Sequence, residues 1–480
     1  MSFARILRSS ALMGGAQAVT LITAFIRSKL IAMAIGPAGI GLMGVLTTFN
    51  ANLASVAGWG LGASAVRTIA GSPAAEKEQK TASVLRLGRR LVLGGFVVVL
   101  ALVLPVGLLT FGNQDYSLEL LVAGLAVPCV IATGTWSSLL QAAGHVRTLA
   151  RTQVISSVVG LLLGLPLIYA FGPLGIALSL FLAALSTSVI TWREANRLTP
   201  ANPEKASNAD VRELVKLGAA LQVGAILGAV SSYLVRVLIL RGHGADIVAG
   251  LADAGFYQAA FAMTGGLPGV IFSASSQDFF PRVAAAADET EARGITQTQI
   301  KASLLLAMPV LMALMTMGSL AMRALYAEGF DPATPLVSWF VWSIFCLLIG
   351  LPLAFWVMAR RPKTEVAISQ SLLGLSGLLL ALVLVPWAGL RGAAAAYFGS
   401  CLIYAGALLL MQANASGRRI GYGIIAWVSI CAASLACGQL FASLMLNPYL
   451  GLVPTGATAA VCAGIYFKAV KASGQQEAGR

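Results

Sequence analysis

The 480-residue sequence predicts an all-α polytopic membrane protein, and three observations support this fold class. Hydrophobic residues make up 58% of the chain and charged residues 10%, with a mean hydropathy of +0.85. Soluble domains are typically about 45–50% apolar and about 25% charged. Apolar stretches of about 20 residues, long enough for a helix to cross the bilayer, recur along the sequence. They lack the alternation of a barrel strand, which leaves helices as the spanning structure.

About fourteen transmembrane helices are predicted, each an apolar run that ends where polar or turn residues interrupt it. The first span follows Arg5 and Arg8, but no small-residue cleavage site comes after it, so it is predicted to be retained rather than removed as a signal peptide. The predicted spans are 10–35, 40–66, 91–111, 119–141, 152–171, 173–192, 215–240, 255–280, 302–322, 334–358, 366–387, 391–412, 421–441 and 450–468.

The net charge of +14 would suit a nucleic-acid-binding protein, but its distribution indicates another origin. Most of the 32 Lys and Arg residues fall in every second loop and in the two tails. Cytoplasmic loops of membrane proteins collect these residues, so both termini are predicted to be cytoplasmic and no nucleic-acid partner is expected. The six cysteines lie in apolar stretches without the paired spacing of a zinc site, so neither a metal nor a cofactor is predicted.

An internal repeat relates the two halves of the sequence with a shift of roughly 215–218 residues. Ala38-Gly39 before span 2 matches Ala254-Gly255 before span 8, and Gly172-Pro173-Leu174-Gly175 matches Gly389-Leu390-Arg391-Gly392. An even number of spans separates the copies, so they have the same orientation and form a parallel repeat. The repeat predicts two six-helix lobes around a central cavity, with spans 13 and 14 as a C-terminal hairpin.

The predicted domains follow from this repeat and from a polar stretch between its copies. That stretch has no apolar periodicity and is read as a linker. The predicted boundaries are 1–195 for the N-terminal lobe, 196–213 for the cytoplasmic linker, 214–412 for the C-terminal lobe, and 413–480 for the extra helices and cytoplasmic tail.

Three cationic residues fall deep within predicted spans. Arg27 and Lys29 lie in span 1, and Arg236 lies at the corresponding depth of span 7. An unpaired charge at the bilayer centre costs about 2.5–3.5 kcal/mol by insertion scales, and no Asp or Glu lies at similar depth. Because Arg forms forked hydrogen bonds with phosphate, we predict that these residues bind an anionic group in the cavity. The alternative is that their long side chains snorkel to the headgroup region.

Four amides in the spans allow two interpretations. They line a polar path for sugars, or they form helix-to-helix hydrogen bonds within the membrane. The four residues are Gln17, Asn50, Asn52 and Gln222.

Charged residues near the span ends are predicted to be structural or to couple transport to an ion. Asp278 precedes Arg282 by four residues, the spacing of a helical ion pair, and Arg67 is the equivalent of Arg282 in the first half. Asp278 is alternatively a proton or cation coupling site, with Glu119 at the outer end of span 4 as a further candidate.

The sequence favours a transporter over an enzyme. No glycine-rich phosphate-binding loop is present, neither histidine belongs to a catalytic pattern, and the predicted outer loops are too short to carry a catalytic domain. The energy for transport is therefore expected from an ion gradient, the substrate or a partner protein.

Four segments resemble Wzx-type O-antigen and enterobacterial-common-antigen flippases. They are Ile26–Ala32, Gly36–Gly41, Ala254–Ala260 and Phe279–Arg282, and the resemblance covers roughly residues 1–412. It implies the fold of the multidrug/oligosaccharidyl-lipid/polysaccharide (MOP) exporter superfamily. The family moves undecaprenyl-pyrophosphate-linked oligosaccharides from the cytoplasmic to the periplasmic leaflet of the bacterial inner membrane.

The same resemblance implies partners and site residues. Expected partners are the lipid-linked oligosaccharide, membrane lipids, a polysaccharide polymerase and a chain-length regulator. Lys29 matches a lysine of the family's entry segment, and Arg27 and Arg236 are joined to it through the repeat. The extra hairpin departs from the common twelve-helix form. The resulting count of fourteen helices is similar to that of peptidoglycan-precursor flippases, which remain an alternative. A cation-coupled exporter of the same superfamily is the other alternative, and acidic residues would be expected in its cavity.

Overall fold

The computed structural model describes residues 3–478, except 71, 74–75, 114, 199–205, 245, 417–421 and 445–447. Within these residues the chain forms α-helices, short 3₁₀ turns and no β-strand, so the predicted all-α fold is confirmed. The helices are α1 (Phe3–Ile35), α2 (Pro37–Gly58), α3 (Leu61–Ala70), α4 (Lys77–Phe111), α5 (Ser117–Gly124), α6 (Ala126–Ala142), α7 (Val146–Leu198), α8 (Asn208–Arg241), α9 (Ile247–Ala285), α10 (Glu289–Leu325), α11 (Thr334–Arg360), α12 (Lys363–Ser416), α13 (Tyr422–Leu444) and α14 (Leu452–Ala478).

Two of these helices contain two predicted spans each. The described chain has nine helical segments that are long and apolar enough to cross a membrane, and α7 and α12 are 53 and 54 residues long. At about 1.5 Å per residue, each would measure about 80 Å, far more than the roughly 30 Å hydrocarbon core. Gly172 and Gly389 interrupt them with φ values of 56° and 55°, as a reversal between two spans requires.

The two interruptions have the same construction, which supports the sequence repeat at atomic level. A Cβ on Gly175 would overlap the carbonyl oxygen of Leu167, and a Cβ on Gly392 would overlap that of Leu384. Glycine is therefore required three residues after each turn, where the chain folds back against the preceding span. The matched segments 172–175 and 389–392 thus form equivalent turns.

Predicted span 2 is interrupted where the sequence suggested one continuous helix. The chain turns at Trp59 and Gly60, which have φ values of 49° and 65°, and then continues as α3. A Cβ on Gly60 would lie 2.6 Å from the carbonyl oxygen of Gly218 in α8. This backbone approach requires glycine both at Gly60, in the turn, and at Gly218 of α8, and the predicted span of residues 40–66 is divided into two helices.

The chain divides by packing into two compact units. Unit 1 contains residues 1–258 and 381–393, and unit 2 contains residues 259–380 and 394–480. These units are defined by packing, whereas the predicted domains are defined by the sequence repeat. The predicted domain boundaries therefore remain predictions.

In unit 1, the start of α8 is fixed to the start of α4 by a polar clasp, formed by Gln79, Lys80, Ser83 and Asp210. The Lys80 ammonium lies 2.7 Å from an Asp210 carboxylate oxygen, and Gln79 donates to the other oxygen at 2.9 Å. Burial raises the pKa of Asp210, but the bonds from Lys80 and Gln79 outweigh it, so the net pKa is lowered. An apolar cluster including Val84, Val211 and Leu214 packs beside the clasp. The clasp and cluster together hold α8 in place.

Unit 2 contains its own polar anchor and carries the C-terminal hairpin. The indole nitrogen of the fully buried Trp356 donates to Glu289 at 2.7 Å, which joins α11 to the start of α10. The Thr316 hydroxyl on α10 lies 3.3 Å from that of Thr455 on α14. Helix α14 therefore packs directly on a core helix of unit 2.

Candidate functional site

A cavity of about 320 Å³ surrounds Arg27 in unit 1. It lies between α1 and both halves of α7, the two spans that reverse at Gly172. The volume is at the lower end of the roughly 300–1,000 Å³ range of small-molecule sites. Its lining residues are Thr20, Thr23, Ala24, Arg27, Gln153, Ser156, Ser157, Gly160, Leu161, Ala183, Ala184 and Thr187.

Two buried polar atoms of this lining have no hydrogen-bond partner among the described residues. They are the Nε of Arg27 and the Oγ of Ser156. A buried donor without a partner costs about 1–3 kcal/mol, and more when the group is charged. Both atoms belong to residues that line the cavity, but neither atom is itself accessible from it.

Four other hydroxyls of the lining donate to carbonyl oxygens of their own helices. The bonds run from Thr20 to Ala16 at 3.0 Å, from Thr23 to Thr20 at 2.9 Å, from Ser157 to Val154 at 2.8 Å, and from Thr187 to Ala183 at 2.7 Å. Each of these oxygens keeps lone pairs that a ligand can use. The cavity therefore combines one cation with both donors and acceptors.

Small residues bring the two halves of α7 close together beside the cavity. A Cβ on Gly160 would lie 3.0 Å from the Cβ of Ala183, and one on Gly164 would lie 3.0 Å from that of Ser179. Small residues at helix interfaces are the usual way in which membrane helices approach closely. This packing fixes the positions of the hydroxyls on both spans.

Arg236 has different surroundings. Its guanidinium donates to the amide oxygen of Gln258 at 2.9 Å and to the carbonyl oxygen of Ser232 at 3.1 Å. It also lies 5.9 Å from the ring centre of Tyr257, within cation–π distance. Gln258 lies over Gly44 of α2, where a Cβ would be 2.9 Å from its Cγ. Arg236 is therefore bonded within the protein.

The three predicted cations are not brought into one set of contacts by the described residues. Lys29 lies two residues beyond Arg27 on α1, and its side chain is exposed. Arg27 contacts the cavity beside α7, whereas Arg236 bonds to residues of α8 and α9. Of the three, Arg27 belongs to the lining of the cavity between α1 and α7.

The four amide side chains predicted from the sequence differ in their hydrogen-bond partners and burial. Asn52 donates to the carbonyl oxygen of Ala229 at 2.6 Å, and Gln222 donates to Ser55. Both bonds join α2 to α8, the helix-to-helix bonding that the sequence left as an alternative. Asn50 is buried with its amide oxygen unpartnered among the described residues, and Gln17 is partly buried in α1.

The charged residues near the span ends lie on several helices. Arg67 on α3 and Arg282 on α9 are exposed. Asp278 belongs to α9, but its side chain lies outside the described residues. Glu119 lies in the first turn of α5, and one carboxylate oxygen is buried without a hydrogen-bond partner in the described chain. Their predicted structural or coupling roles remain predictions.

A second cavity, of about 710 Å³, lies in unit 2 between α10, α11, α13 and the turn before α14. Arg323 and Asp331 in its lining form an ion pair at 3.2 Å. The amide of Gln439 accepts a bond from Trp342 at 2.9 Å. Because these polar groups are bonded to each other, this cavity gives no comparable indication of a ligand. The described residues also contain no group of three or more His, Cys, Asp or Glu side chains able to hold a metal.

Sequence reasoning singled out Arg27 but missed the lining from α7. The missed residues include Gln153, Ser156, Ser157 and Thr187. The first three, with Gly160, recur at helical spacing and form one polar face on an otherwise apolar span. That spacing is the signal that would have identified this half of the site.

Comparisons with known proteins identify relatives of this fold. The family model described as "Polysaccharide biosynthesis protein" matches residues 6–287, more than half of the chain. Comparison with curated proteins gave no match.

Three solved structures show the same architecture. The chain is similar to the lipid II flippase MurJ in an inward closed conformation, with 12% identity and a TM-score of 0.68 over 96% of this chain and 99% of that one. An inward-facing MATE multidrug transporter has 15% identity and a TM-score of 0.61, over 89% and 96% of the two chains. A MOP superfamily transporter from Pyrococcus furiosus, described by a reverse polarity of its binding pocket, has 14% identity and a TM-score of 0.57, over 85% and 95%. At these identities the likeness shows the fold alone.

Proposed function

The chain belongs to the polysaccharide biosynthesis protein family, and we propose that it is a flippase for undecaprenyl-pyrophosphate-linked oligosaccharide. The carried unit would be an O-antigen or a related surface polysaccharide unit. It would move from the cytoplasmic to the periplasmic leaflet of the bacterial inner membrane, with both termini of the protein in the cytoplasm. The family match and the fold shared with flippases and exporters support a transporter rather than an enzyme.

The observation that carries this proposal is the position of Arg27, a cation in the lining of a hydroxyl-rich cavity, whose Nε has no hydrogen-bond partner among the described residues. A half-buried cation with an unpartnered donor is costly within a membrane-spanning helix, and an anionic group beside it would lower that cost. Phosphate oxygens match the fork of an arginine in charge and geometry. A pyrophosphate-linked lipid is the polysaccharide precursor that would supply such a group.

The proposed mechanism is alternating access, in which the two lobes expose the site to each side in turn. The substrate contributes phosphate to Arg27, with Lys29 and Arg236 as further proposed contacts during transport. A ligand that binds equally to two conformations does not shift their equilibrium, so an ion gradient is proposed to give direction. The polymerase and the chain-length regulator are proposed to receive the transported unit.

Transport by purified protein in liposomes tests this function. The assay measures the movement of an undecaprenyl-pyrophosphate-linked oligosaccharide between leaflets, by its accessibility to an added glycosidase. We expect Arg27→Gln to reduce the rate at least tenfold, about 1.4 kcal/mol of transition-state stabilisation, and Arg27→Lys to have an intermediate rate, because Lys keeps the charge but not the fork.

Arg89→Gln is the matched control, because Arg89 is an exposed arginine on α4 and the same charge is removed. It should retain the wild-type rate within about twofold, since exposed charges contribute little. Wild-type transport by Arg27→Gln would contradict the phosphate role, and absence of transport by wild-type protein would contradict the flippase function.

A peptidoglycan-precursor flippase is the second candidate. It is favoured by the similarity to the lipid II flippase, which extends over 99% of that chain and 96% of this one. The liposome assay distinguishes the two when both lipids are offered together, because the preferred substrate competes with transport of the other. A cation-coupled exporter is less well supported, since the described cavity around Arg27 is lined by a cation and no carboxylate.

A further inference from the structure

We propose that the groove between the starts of α4 and α8 binds an anionic phospholipid, with the lipid headgroup at Arg90 and Arg212. One acyl chain would lie along the apolar residues that follow Arg90 on α4. The groove belongs to unit 1 and shares no lining residue with the cavity around Arg27. The inference goes beyond the proposed function, because its ligand is a lipid of the surrounding membrane and not the carried molecule.

One face of α4 follows the first turn of α8 and leads to a cation. The Ser83 hydroxyl donates to Asp210 at 3.4 Å, and the Arg86 guanidinium donates to Asn208 at 3.4 Å. Residues that alternate in spacing between three and four lie on one side of a helix, so the next member of this row is Arg90. The Arg90 side chain is exposed, so the row leaves its contact with α8 at a positive charge.

A second cation faces Arg90 from α8. The two helices run in the same direction, because the clasp joins their starts and a 2.7 Å bond between Thr110 and Tyr233 joins them near their ends. Arg90 and Arg212 each lie one turn beyond a partner of the bond that Arg86 makes. The two cations therefore fall at the same level on neighbouring helices, and both are exposed.

The charges of this groove favour an external anion. Two like charges at one level repel each other, and an anion between them replaces this repulsion with two attractions. The carboxylates in the first two turns of α8 are already engaged, because Asp210 lies 2.7 Å and Glu213 3.5 Å from the ammonium of Lys80. Phosphate has the charge and the oxygen geometry that arginine binds best.

The same row of α4 continues beyond Arg90 as an exposed apolar stripe. Leu93 and Val97 are 70% and 64% exposed, and Leu100 and Leu104 are also exposed. At 1.5 Å per residue the stripe from 93 to 104 is about 17 Å long, close to half of the roughly 30 Å hydrocarbon core. A headgroup at Arg90 therefore has an apolar surface beside it that extends through one leaflet, the cytoplasmic leaflet by the predicted orientation.

The combination of both features identifies the occupant as a lipid. An acidic segment of a partner protein would use the two arginines but not the apolar stripe. A neutral phospholipid would use the stripe, but its headgroup bears no net charge for the arginines. An anionic phospholipid satisfies both.

Native mass spectrometry of the purified full-length protein tests the inference. Phosphatidylglycerol and phosphatidylcholine with the same acyl chains are titrated separately, and dissociation constants are obtained from the intensities of the lipid-bound ions. We expect phosphatidylglycerol to bind at least about fivefold more tightly, since each arginine near an anionic lipid contributes about a fivefold gain in affinity. Equal affinity for the two lipids would overturn the proposal.

Neighbouring arginines distinguish a site from a general attraction of anionic lipid to a basic protein. Arg90→Gln and Arg212→Gln should each weaken phosphatidylglycerol binding about fivefold and leave phosphatidylcholine binding unchanged. Arg89→Gln is the matched control, because Arg89 is an exposed arginine at nearly the same depth but lies about 100° around the helix from Arg90. It should retain the wild-type affinity within about twofold. Equal losses in Arg89→Gln and Arg90→Gln would overturn the site.

Two soluble ligands test the identity of the occupant. Glycerol 1-phosphate carries the headgroup chemistry without acyl chains, and a hexaglutamate peptide carries negative charge on a protein segment. Both should bind more weakly than phosphatidylglycerol. Equal binding of glycerol 1-phosphate would contradict the acyl contact, and tighter binding of the peptide would assign the groove to an acidic partner and overturn the proposal. The variants are compared when their melting temperatures lie within a few degrees of wild type.

Discussion

The regions around Arg27 and Arg236 differ, although the sequence places the two arginines at corresponding depths in the first span of each half. Arg236 gives its guanidinium protons to Gln258 and Ser232 and lies beside the ring of Tyr257. Arg27 lines a cavity, and its Nε has no partner among the described residues. One arginine is therefore part of the protein's internal bonding, and the other retains bonding capacity for a ligand.

This difference shows that position within a predicted span is a poor guide to the role of a charged residue. Both residues lie in long helices and within predicted membrane spans. A cation that is satisfied by the protein contributes to stability, whereas an unsatisfied one lowers stability until a ligand binds. The following predictions test whether the two regions differ in this way.

The largest expected loss of stability follows a substitution where α2 crosses α9, beside Arg236. A Cβ on Gly41 of α2 would overlap the carbonyl oxygen of Leu251 in α9, and one on Gly255 would overlap that of Pro37. Because both contacts involve backbone atoms, Gly41→Ala should lower the free energy of unfolding by about 3 kcal/mol or more. The melting temperature of purified protein measures this loss.

Two alanine variants serve as comparisons for Gly41→Ala. For Gly160→Ala, beside the Arg27 cavity, the added Cβ would lie 3.0 Å from the Ala183 Cβ and 3.5 Å from its Cα, without overlap, so stability should fall by less than about 1 kcal/mol. Gly94→Ala on α4 has open space and should be neutral or slightly stabilising, by up to about 1 kcal/mol. A melting temperature of Gly41→Ala equal to those of the two comparison variants would show that the crossing of α2 and α9 is not a rigid backbone contact.

Replacing each arginine by Met should shift stability in opposite directions when no substrate is present. Arg236→Met removes charge-assisted bonds and should lower the free energy of unfolding by about 1–3 kcal/mol. Arg27→Met removes a half-buried cation whose Nε has no partner among the described residues and should raise it by about 1–3 kcal/mol. Chemical or thermal unfolding in the same detergent measures both. Changes of the same sign would remove the distinction between the two regions.

A smaller effect is expected at the clasp that holds α8, the helix of Arg236, at its first turn. The lowered pKa of Asp210 means that its ion pair stabilises the protein above the unfolded-state pKa of about 3.9. This contribution is lost as the pH falls through the lower folded-state value. At pH 7, Asp210→Asn should destabilise unit 1 by about 1–2 kcal/mol, since it loses the bond with Lys80.

The pH dependence of the stability difference between wild type and Asp210→Asn distinguishes Asp210 from other carboxylates that titrate in the same range. The melting-temperature gap between wild type and Asp210→Asn should be constant above about pH 5 and should shrink as the pH falls further. A gap that does not change between pH 7 and pH 3 would show that the ionised clasp does not stabilise the folded protein.

Much of the fold and part of the site could be predicted from the sequence. Apolar length and charge distribution predicted the helical membrane class, and the matched glycines predicted equivalent turns at Gly172 and Gly389. The sequence also singled out Arg27, because a cation within an apolar run is visible without coordinates. The polar face of span 5, which includes Ser156, was equally visible as a helical spacing but was not recognised.

The sequence by itself determined the helical class, the repeat and the presence of cations within apolar runs, since these depend on the order of residues along the chain. Only the tertiary structure decided that Arg27 faces a cavity while Arg236 bonds to Gln258. It also decided that span 2 breaks at Gly60, where the backbone of α8 approaches. The physical reason is that hydropathy records how deep a residue lies, whereas a side chain's partners depend on how neighbouring helices are rotated and how closely their backbones pack.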